Sequence, residues 1–256
     1  MDRLYSIIMI SSVKVCRSVD GSGHNIVESI ILPSLPQEVI KMQSKNNQGY
    51  LQFLNDIYEV SNACSTKTYI WGGMAIDILK GELTREHNDL DGFTLNMLEK
   101  LNDLSARYEN LGYETSFLEE FHMLKIKKGG LHAAFNRLDI DGDVAMWRHI
   151  GEQGTVYFPF SWLECIPRNF YHTQTYCSGI NFEYGFRKIA RLLNPEWKGR
   201  EKDIIALEYL EERLNNDGIE TKSVLKSIWS YNPFWAKKGY NPFDKPTLVW
   251  PNYSDS

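Results

Sequence analysis

Four cysteines, Cys16, Cys64, Cys165 and Cys177, are all that this 256-residue chain carries. None stands in a C-x-x-C pair, and no histidine lies near one at zinc-finger spacing, which argues against a structural zinc module. Such sparse thiols fit a reducing compartment and hence a cytoplasmic protein; two disulfides in a secreted chain are the alternative. No apolar run approaches the ~18 residues needed to cross a bilayer, so no membrane partner is expected. The stretch LYSIIMISSV is apolar, but one arginine precedes it and Lys14 follows it closely. It reads as a short strand or a loose leader in preference to a signal peptide. Positive charge is not in excess either: 28 Lys and Arg stand against 33 Asp and Glu, a net charge of −5. A basic patch for nucleic acid is therefore not expected, whereas a carboxylate-rich cleft for a cationic small molecule is compatible with the balance.

Hydrophobic residues make up 43% of the chain, enough for a proper core in one large domain or two smaller ones. Residues 1–45 have no clear period; VDGSGHN (19–25) reads as a turn and LPSLPQ (32–37) as a proline-punctuated connection. Helical spacing of apolar residues follows from Gln48 to Ala63, then a β-rich TYIW (68–71), a glycine pair and a helix over Met74–Leu79. Asp89–Leu95 predicts a strand, and Met97–Leu111 a helix closed by Gly112. Strands are expected over Tyr113–Phe117, Met123–Lys127 and Leu131–Leu138, with Gly129-Gly130 as a hairpin turn, and shorter ones over Val156–Phe160 and Trp162–Ile166. Helices are expected over Glu183–Leu193, Glu201–Leu214 and Ser223–Trp229, and YNPF recurs at 231–234 and 240–243 as two similar turns in a tail. The order predicts an α/β or α+β body, with 1–45 as an arm, 46–166 as a domain and 167–256 as a helical end.

Residues 71–91, WGGMAIDILKGELTREHNDLD, hold the chemistry. Asp89 and Asp91 lie two apart on a predicted strand, so their carboxylates share a face and can grip one or two divalent cations. Gly72 and Gly73 let backbone N–H groups approach phosphate oxygens with no Cβ in the way. A D-x-D pair alone is common in surface turns; the glycine pair, helix and acid pair in this order are far more specific.

This string resembles the nucleotidyltransferase superfamily, and within it the lincosamide and aminoglycoside nucleotidyltransferases. Those carry W-x-x-G-G-W-x-V-D, a short helix, then T-R-E-H-x-D-x-D. Here Gly72, Gly73, Ile76 and Asp77 are followed by Thr84, Arg85, Glu86, His87, Asp89 and Asp91, with Tyr69 and Met74 in place of the two tryptophans. The resemblance is strongest over 69–91 and extends to about residue 166. It implies an α+β fold, a small mixed sheet flanked by helices with a helical C-terminal region. It also implies transfer of a nucleoside monophosphate, AMP from ATP or the equivalent from another NTP, to the hydroxyl of a small, antibiotic-like acceptor. Mg2+ or Mn2+ would bridge the triphosphate to Asp89 and Asp91, Gly72 and Gly73 would meet phosphates, and Arg85 would be structural or reach a phosphate. His87 would be a structural hydrogen-bonder. Lys188 or Lys202, among the cations of the C-terminal helices, would touch the triphosphate.

The family's third carboxylate opens a D-x-H-P string. Matching histidines puts His132 on the family histidine and Gly130 where the aspartate belongs. Three readings stay open. His132 replaces the acid as ligand or general base; or Asp139 or Asp141 is the third acid; or the site is degraded and the domain binds a nucleotide or a protein partner without turnover. DIDGD (139–143) lacks the closing glutamate of a calcium loop, Ile150 holding that place, and reads as a solvated turn. The aromatic set Trp147, Tyr157, Phe158, Phe160 and Trp162 lines a pocket or, more simply, packs the core. A nucleic-acid-directed transferase is disfavoured by the net acidity. The sequence leaves the oligomeric state open.

Overall fold

A computed structural model describes residues 18–19, 25–26, 45–149, 154–193 and 200–231. The apolar leader, the LPSLPQ connection and the YNPF tail beyond Tyr231 lie outside the described residues, as does Cys16. A two-residue antiparallel ladder, Val19 to Asn25 and Ser18 to Ile26, brackets the turn expected at 19–25.

The body opens with α1 (Lys45–Ala63), β1 (Thr68–Trp71), α2 (Gly73–Lys80), β2 (Leu90–Leu95) and α3 (Met97–Asn110). Five strands follow: β3 (Glu114–Leu118), β4 (Met123–Lys128), β5 (Leu131–Asp141), β6 (Val144–His149) and β7 (Gly154–Pro159). The chain then adds β8 (Arg168–Phe170), β9 (Thr173–Cys177), α4 (Ile180–Leu193), α5 (Glu201–Asn216), α6 (Thr221–Ser227) and β10 (Trp229–Tyr231). The ten strands form one mixed sheet in the order β8-β9-β1-β2-β5-β6-β7-β10. Strand β4 pairs with the first half of β5, and β3 with β4, so the sheet forks there. The β9–β1 and β2–β5 pairs are parallel; the others are antiparallel. The fold is α+β, as expected.

Side-chain alternation along the strands makes two cores. Ile70, Leu90, Ala133, Phe135, Leu124 and Ile126 face one way, against α1 and α3. Helix α1 buries Tyr50, Phe53, Leu54 and Ile57 there, the spacing of one helical face. Tyr69, Phe93, Leu138, Trp147 and Phe158 face the other way, against Phe182 and Ile189 of α4 and Leu210 and Leu214 of α5. The glycine signals hold: Gly112 (φ 80°) closes α3, and Gly129 and Gly130 (φ 55° and 89°) turn the β4–β5 hairpin.

The boundary expected at residue 166 falls inside this sheet, because β8, β9 and β10 belong to it. The β8–β9 hairpin escapes sequence patterning since its turn, Tyr171-His172, has no Gly, Asn or Asp, and Tyr171 itself takes the positive φ of 52°. Trp162 sits in a 3-10 turn (Phe160–Trp162), not a strand. Trp147, Phe158 and Trp162 are core residues; the aromatics that line the functional cavity are Trp71 and Phe186.

Candidate active site

Strand β1 ends at Trp71 and the chain reverses through Gly72 into α2. Gly72 has φ 82° and ψ −141°, a backbone conformation open to little but glycine. A Cβ there would lie 3.3 Å from Asp91 Oδ2, so the bend and the acid touch. Gly73 begins the helix, and a Cβ on it would overlap the guanidinium of Arg85. The first N–H groups of α2 have no partner within the helix and carry the positive end of its dipole.

The loop from Gly81 to Asp89 is fixed by buried polar contacts. Asp77 of α2, 1% exposed, accepts hydrogen bonds from the Thr84 N–H (3.0 Å) and the Thr84 hydroxyl (2.5 Å). Its Oδ2 also lies 2.8 Å from Nε2 of the buried His87. Asn47 of α1 donates to the Arg85 carbonyl (3.2 Å) and accepts from the His87 N–H (3.4 Å). Asp77, Thr84 and His87 of the sequence string are therefore a brace. They set Arg85 over Gly73 and deliver the chain into β2 with Asp89 and Asp91 on the cavity side.

The cavity, about 480 Å3, is lined by Gly72, Gly73, Arg85, Asp89, Asp91, Arg200 and Lys202 together with Trp71 and Phe186. Burial, followed by the neighbouring charges of Asp89 and Glu183, pushes the Asp91 carboxyl up to about 7. Facing the acids are three cations. Lys202 is pushed down from its ordinary value by desolvation and by the charges of Arg200 and Arg85, a sign of how closely the three gather. Arg200 also holds Asp203 at 2.7 Å. The cavity thus brings acids and cations together.

Glu183 of α4, fully buried, accepts the Gly72 N–H at 3.0 Å and the hydroxyl of Ser178, and pairs with the buried Arg187. This carboxylate ties the C-terminal helices to the glycine bend. The sequence pattern marks it only as a helix start, and Arg200 only as one cation of a charged face. A buried i, i+4 Glu–Arg pair at a helix start was the available signal for Glu183.

Lys188 lies outside the cavity: it pairs with Glu211 at 2.6 Å and sits over the Tyr184 ring. His132 is exposed and does not line the cavity. The parallel ladder begins with Leu90 beside Ala133 and pairs Asp91 with Ala134; Asp89 and His132 each stand one residue before it. The His132 backbone N–H donates to the Tyr50 hydroxyl at 3.4 Å. Gly130, the expected seat of the third acid, is in the hairpin turn, where a Cβ would meet no atom within 4 Å. Asp139 and Asp141 alternate onto the opposite face at the far end of β5, Asp139 holding Arg137 at 2.7 Å. Among the described residues no group of three His, Cys, Asp or Glu side chains gathers. Two carboxylates with oxygen-only donors nonetheless suit a hard cation that takes its other ligands from phosphate and water. Burial, and after it the charge of Asp89, drives Asp91 toward protonation, and a cation would offset both. The cysteines Cys64, Cys165 and Cys177 are free thiols, and no described helix is long and apolar enough to cross a membrane.

Residues 53–157 match the family model of aminoglycoside-2''-adenylyltransferase. Among solved structures, the antibiotic-resistance factor ANT(2'')-Ia in solution superposes with a TM-score of 0.52 at 15% identity, over 75% of this chain and 94% of that one. The crystal structure of ANT(2'')-Ia with adenylyl-2''-tobramycin gives 0.53 at 15% identity, over 74% and 99%. The lincomycin-bound lincosamide antibiotic adenylyltransferase LnuA gives 0.46 at 15% identity, over 66% and 96%. A sequence search of curated proteins returned no match.

Proposed function

We propose that this chain belongs to the nucleotidyltransferase superfamily, as its matched region and its fold support, and transfers a nucleoside monophosphate from an NTP, ATP foremost, to a hydroxyl of a small molecule. The observation that carries the reading is one cavity that joins the Asp89–Asp91 pair, the glycine-led N-terminus of α2 and the cations Arg85, Arg200 and Lys202.

In this reading Asp89 and Asp91 hold Mg2+ or Mn2+. A divalent cation bound there supplies charge neutralisation on the triphosphate and makes the acceptor hydroxyl more acidic. The chain does the rest by placement. The free N–H groups at the start of α2, with Gly72 and Gly73 giving close approach, hold phosphate oxygens. Arg85, Arg200 and Lys202 hold the remaining phosphate charge and keep the pyrophosphate end fixed as it leaves. Trp71 and Phe186 give the nucleoside side of the cavity an apolar wall. The brace at Asp77 and the anchor at Glu183 keep these parts from moving apart, so that catalysis is mostly positioning and electrostatics.

The test is AMP transfer from ATP, read as pyrophosphate release, with Asp89→Asn and Asp91→Asn singly and together. A fall of at least a hundredfold is expected; unchanged release in the double variant discards the proposal. A second reading, nucleotide binding without turnover, rests on the missing third carboxylate: Gly130 stands at the matched position, and the residue type nearest to it that could take over is His132. Calorimetry with ATP and magnesium separates the two, since binding with no pyrophosphate release across acceptors belongs to the second. His132→Asp then asks whether an acid at that place raises turnover.

A further inference from the structure

The sheet face that carries Asp91 does not stop at the cavity. Across the strands its neighbours are Ala134 of β5, Lys125 of β4 and Ser116 of β3. One rung toward the hairpin, the row runs from His132 to Lys127 and Glu114. On the other face of the same strands Leu124, Ile126, Ala133 and Phe135 are buried under the helices. On this face Ser116, Lys127, His132 and Glu114 are exposed, and Lys125 and Ala134 half-buried. The arm formed by β3, β4 and the first half of β5 is therefore an open shelf, continuous with the acid pair. It leads away on the side opposite β1 and α2, where the phosphate-binding groups stand.

The charge of that shelf is specific. Strand spacing puts the Cα of Lys125 only ~10 Å from that of Asp91, and a lysine stem spans much of that gap. Neither Lys125 nor Lys127 forms an ion pair among the described residues; Glu114, across from Lys127 at the far edge, does not come within 4 Å of it. The acids elsewhere around the cavity are engaged: Asp77 with Thr84 and His87, Asp203 with Arg200, Glu183 with Arg187. Apart from the Asp89–Asp91 pair itself, nothing lining the cavity offers a free carboxylate to an amine.

Resting on the nucleotidyl-transfer reading above, we propose that the β3–β4–β5 shelf seats the acceptor. The acceptor is a hydroxyl compound bearing an anionic group, of the sugar-acid or sugar-phosphate kind, and not a polycationic aminoglycoside. Its anionic group meets Lys125 and Lys127, and its reacting hydroxyl lies over Ala134, next to Asp91 and below His132. A polyamine on this shelf would face the two ammonium groups of Lys125 and Lys127 next to the reacting site, with Glu114 only at the far edge and the Asp89–Asp91 pair taken by the cation in this reading, and like charges at such range oppose binding.

The experiment is equilibrium binding to the full chain, with magnesium and a non-hydrolysable ATP analogue, of three sets of hydroxyl compounds of similar size. These are sugar acids with sugar phosphates, neutral polyols, and aminoglycosides; pyrophosphate release with ATP is measured on the same sets. Binding and turnover of the anionic set are expected, with aminoglycosides at least tenfold weaker. Lys125→Ala with Lys127→Ala should weaken the anionic set at least tenfold and leave the affinity for the ATP analogue within twofold. Aminoglycosides binding as tightly as the anionic set overturn the proposal, as do an anionic set that does not bind or a double variant without effect. Failure of the ATP analogue to bind, or its indifference to Asp89→Asn with Asp91→Asn, removes the nucleotidyl-transfer reading instead. The anion preference of the shelf is then still read from binding without nucleotide.

Discussion

Replacing Glu183 by Gln tests how the C-terminal helices hold the glycine bend. The side chain keeps its shape. Its remaining oxygen still accepts the Gly72 N–H, which the native carboxylate receives at 3.0 Å, and the Ser178 hydroxyl. What is lost is the charge opposite Arg187, a guanidinium only 8% exposed whose other bond is to the Glu183 carbonyl at 3.0 Å. The new amide NH2 faces a donor. Removing one partner of a buried ion pair costs ~3–5 kcal/mol; retention of the Gly72 and Ser178 contacts places Glu183→Gln at the lower end, about 3 kcal/mol. For a chain of this size that is a drop of roughly 6–12 °C in Tm. The assay is a double-mutant cycle with Arg187→Met, by urea unfolding. The double variant should be more stable than the two single losses added together predict, by ~2 kcal/mol or more, since it removes the orphaned charge. A Glu183→Gln loss below ~0.5 kcal/mol, or a cycle additive within that margin, refutes the reasoning.

Asp91→Asn should make the ligand-free protein less sensitive to alkali while removing activity. The folded-state carboxyl, raised from 3.8 to about 7, keeps a proton that the unfolded chain has released. Its contribution is therefore complete below pH 4 and lost as pH rises through 7. The full shift corresponds to roughly 4 kcal/mol, and water at the open mouth of the cavity reduces this to ~2 kcal/mol. Urea unfolding at pH 5 and pH 8 should show the wild type losing stability relative to Asp91→Asn by somewhat over half of that amount, the rest having been lost between pH 4 and pH 5; a constant gap contradicts it. Gly73→Ala should leave the fold intact or firmer by ~0.5–1 kcal/mol, since alanine favours a helix. The new Cβ takes the place of the Arg85 guanidinium, so the affinity for ATP with magnesium, read by calorimetry, should fall about tenfold.

Local chemistry was legible where it was periodic. The apolar face of α1, the glycines at 112, 129 and 130 and the alternation of β2, β4 and β5 all stand in the structure near where the pattern puts them. The hairpin Arg168–Cys177 was not legible, because its strands are polar and its turn is made by Tyr171 without a turn former. Of the site, the Gly72–Gly73 bend and the acid pair could be read because they lie within 20 residues of one another and share a strand order. Glu183, which anchors the bend, and Arg200, which lines the cavity, could not, since each comes from more than 90 residues away along the chain, and only the β9–β1 pairing and the packing of α4 and α5 bring them back. Lys188 and His132 were picked out by residue type. Their types suited the chemistry, but one belongs to Glu211 and the other to the rim of the open shelf.

The division of labour inside the sequence string bears on activity itself. Asp77, Thr84 and His87 are buried in mutual contact, and losing any of them leaves polar groups unpaired in the protein interior. Asp89 and Asp91 are the reverse. They crowd each other, and burial raises Asp91 toward protonation, so their presence costs stability in the free protein. Thr84 and His87 of the string T-R-E-H therefore serve the fold, whereas the two carboxylates beside the Gly72 bend are the part that the proposed cation-dependent chemistry needs. The single Asp91→Asn variant, expected to be firmer at pH 8 and inactive, is the measurement in which the two consequences must appear together.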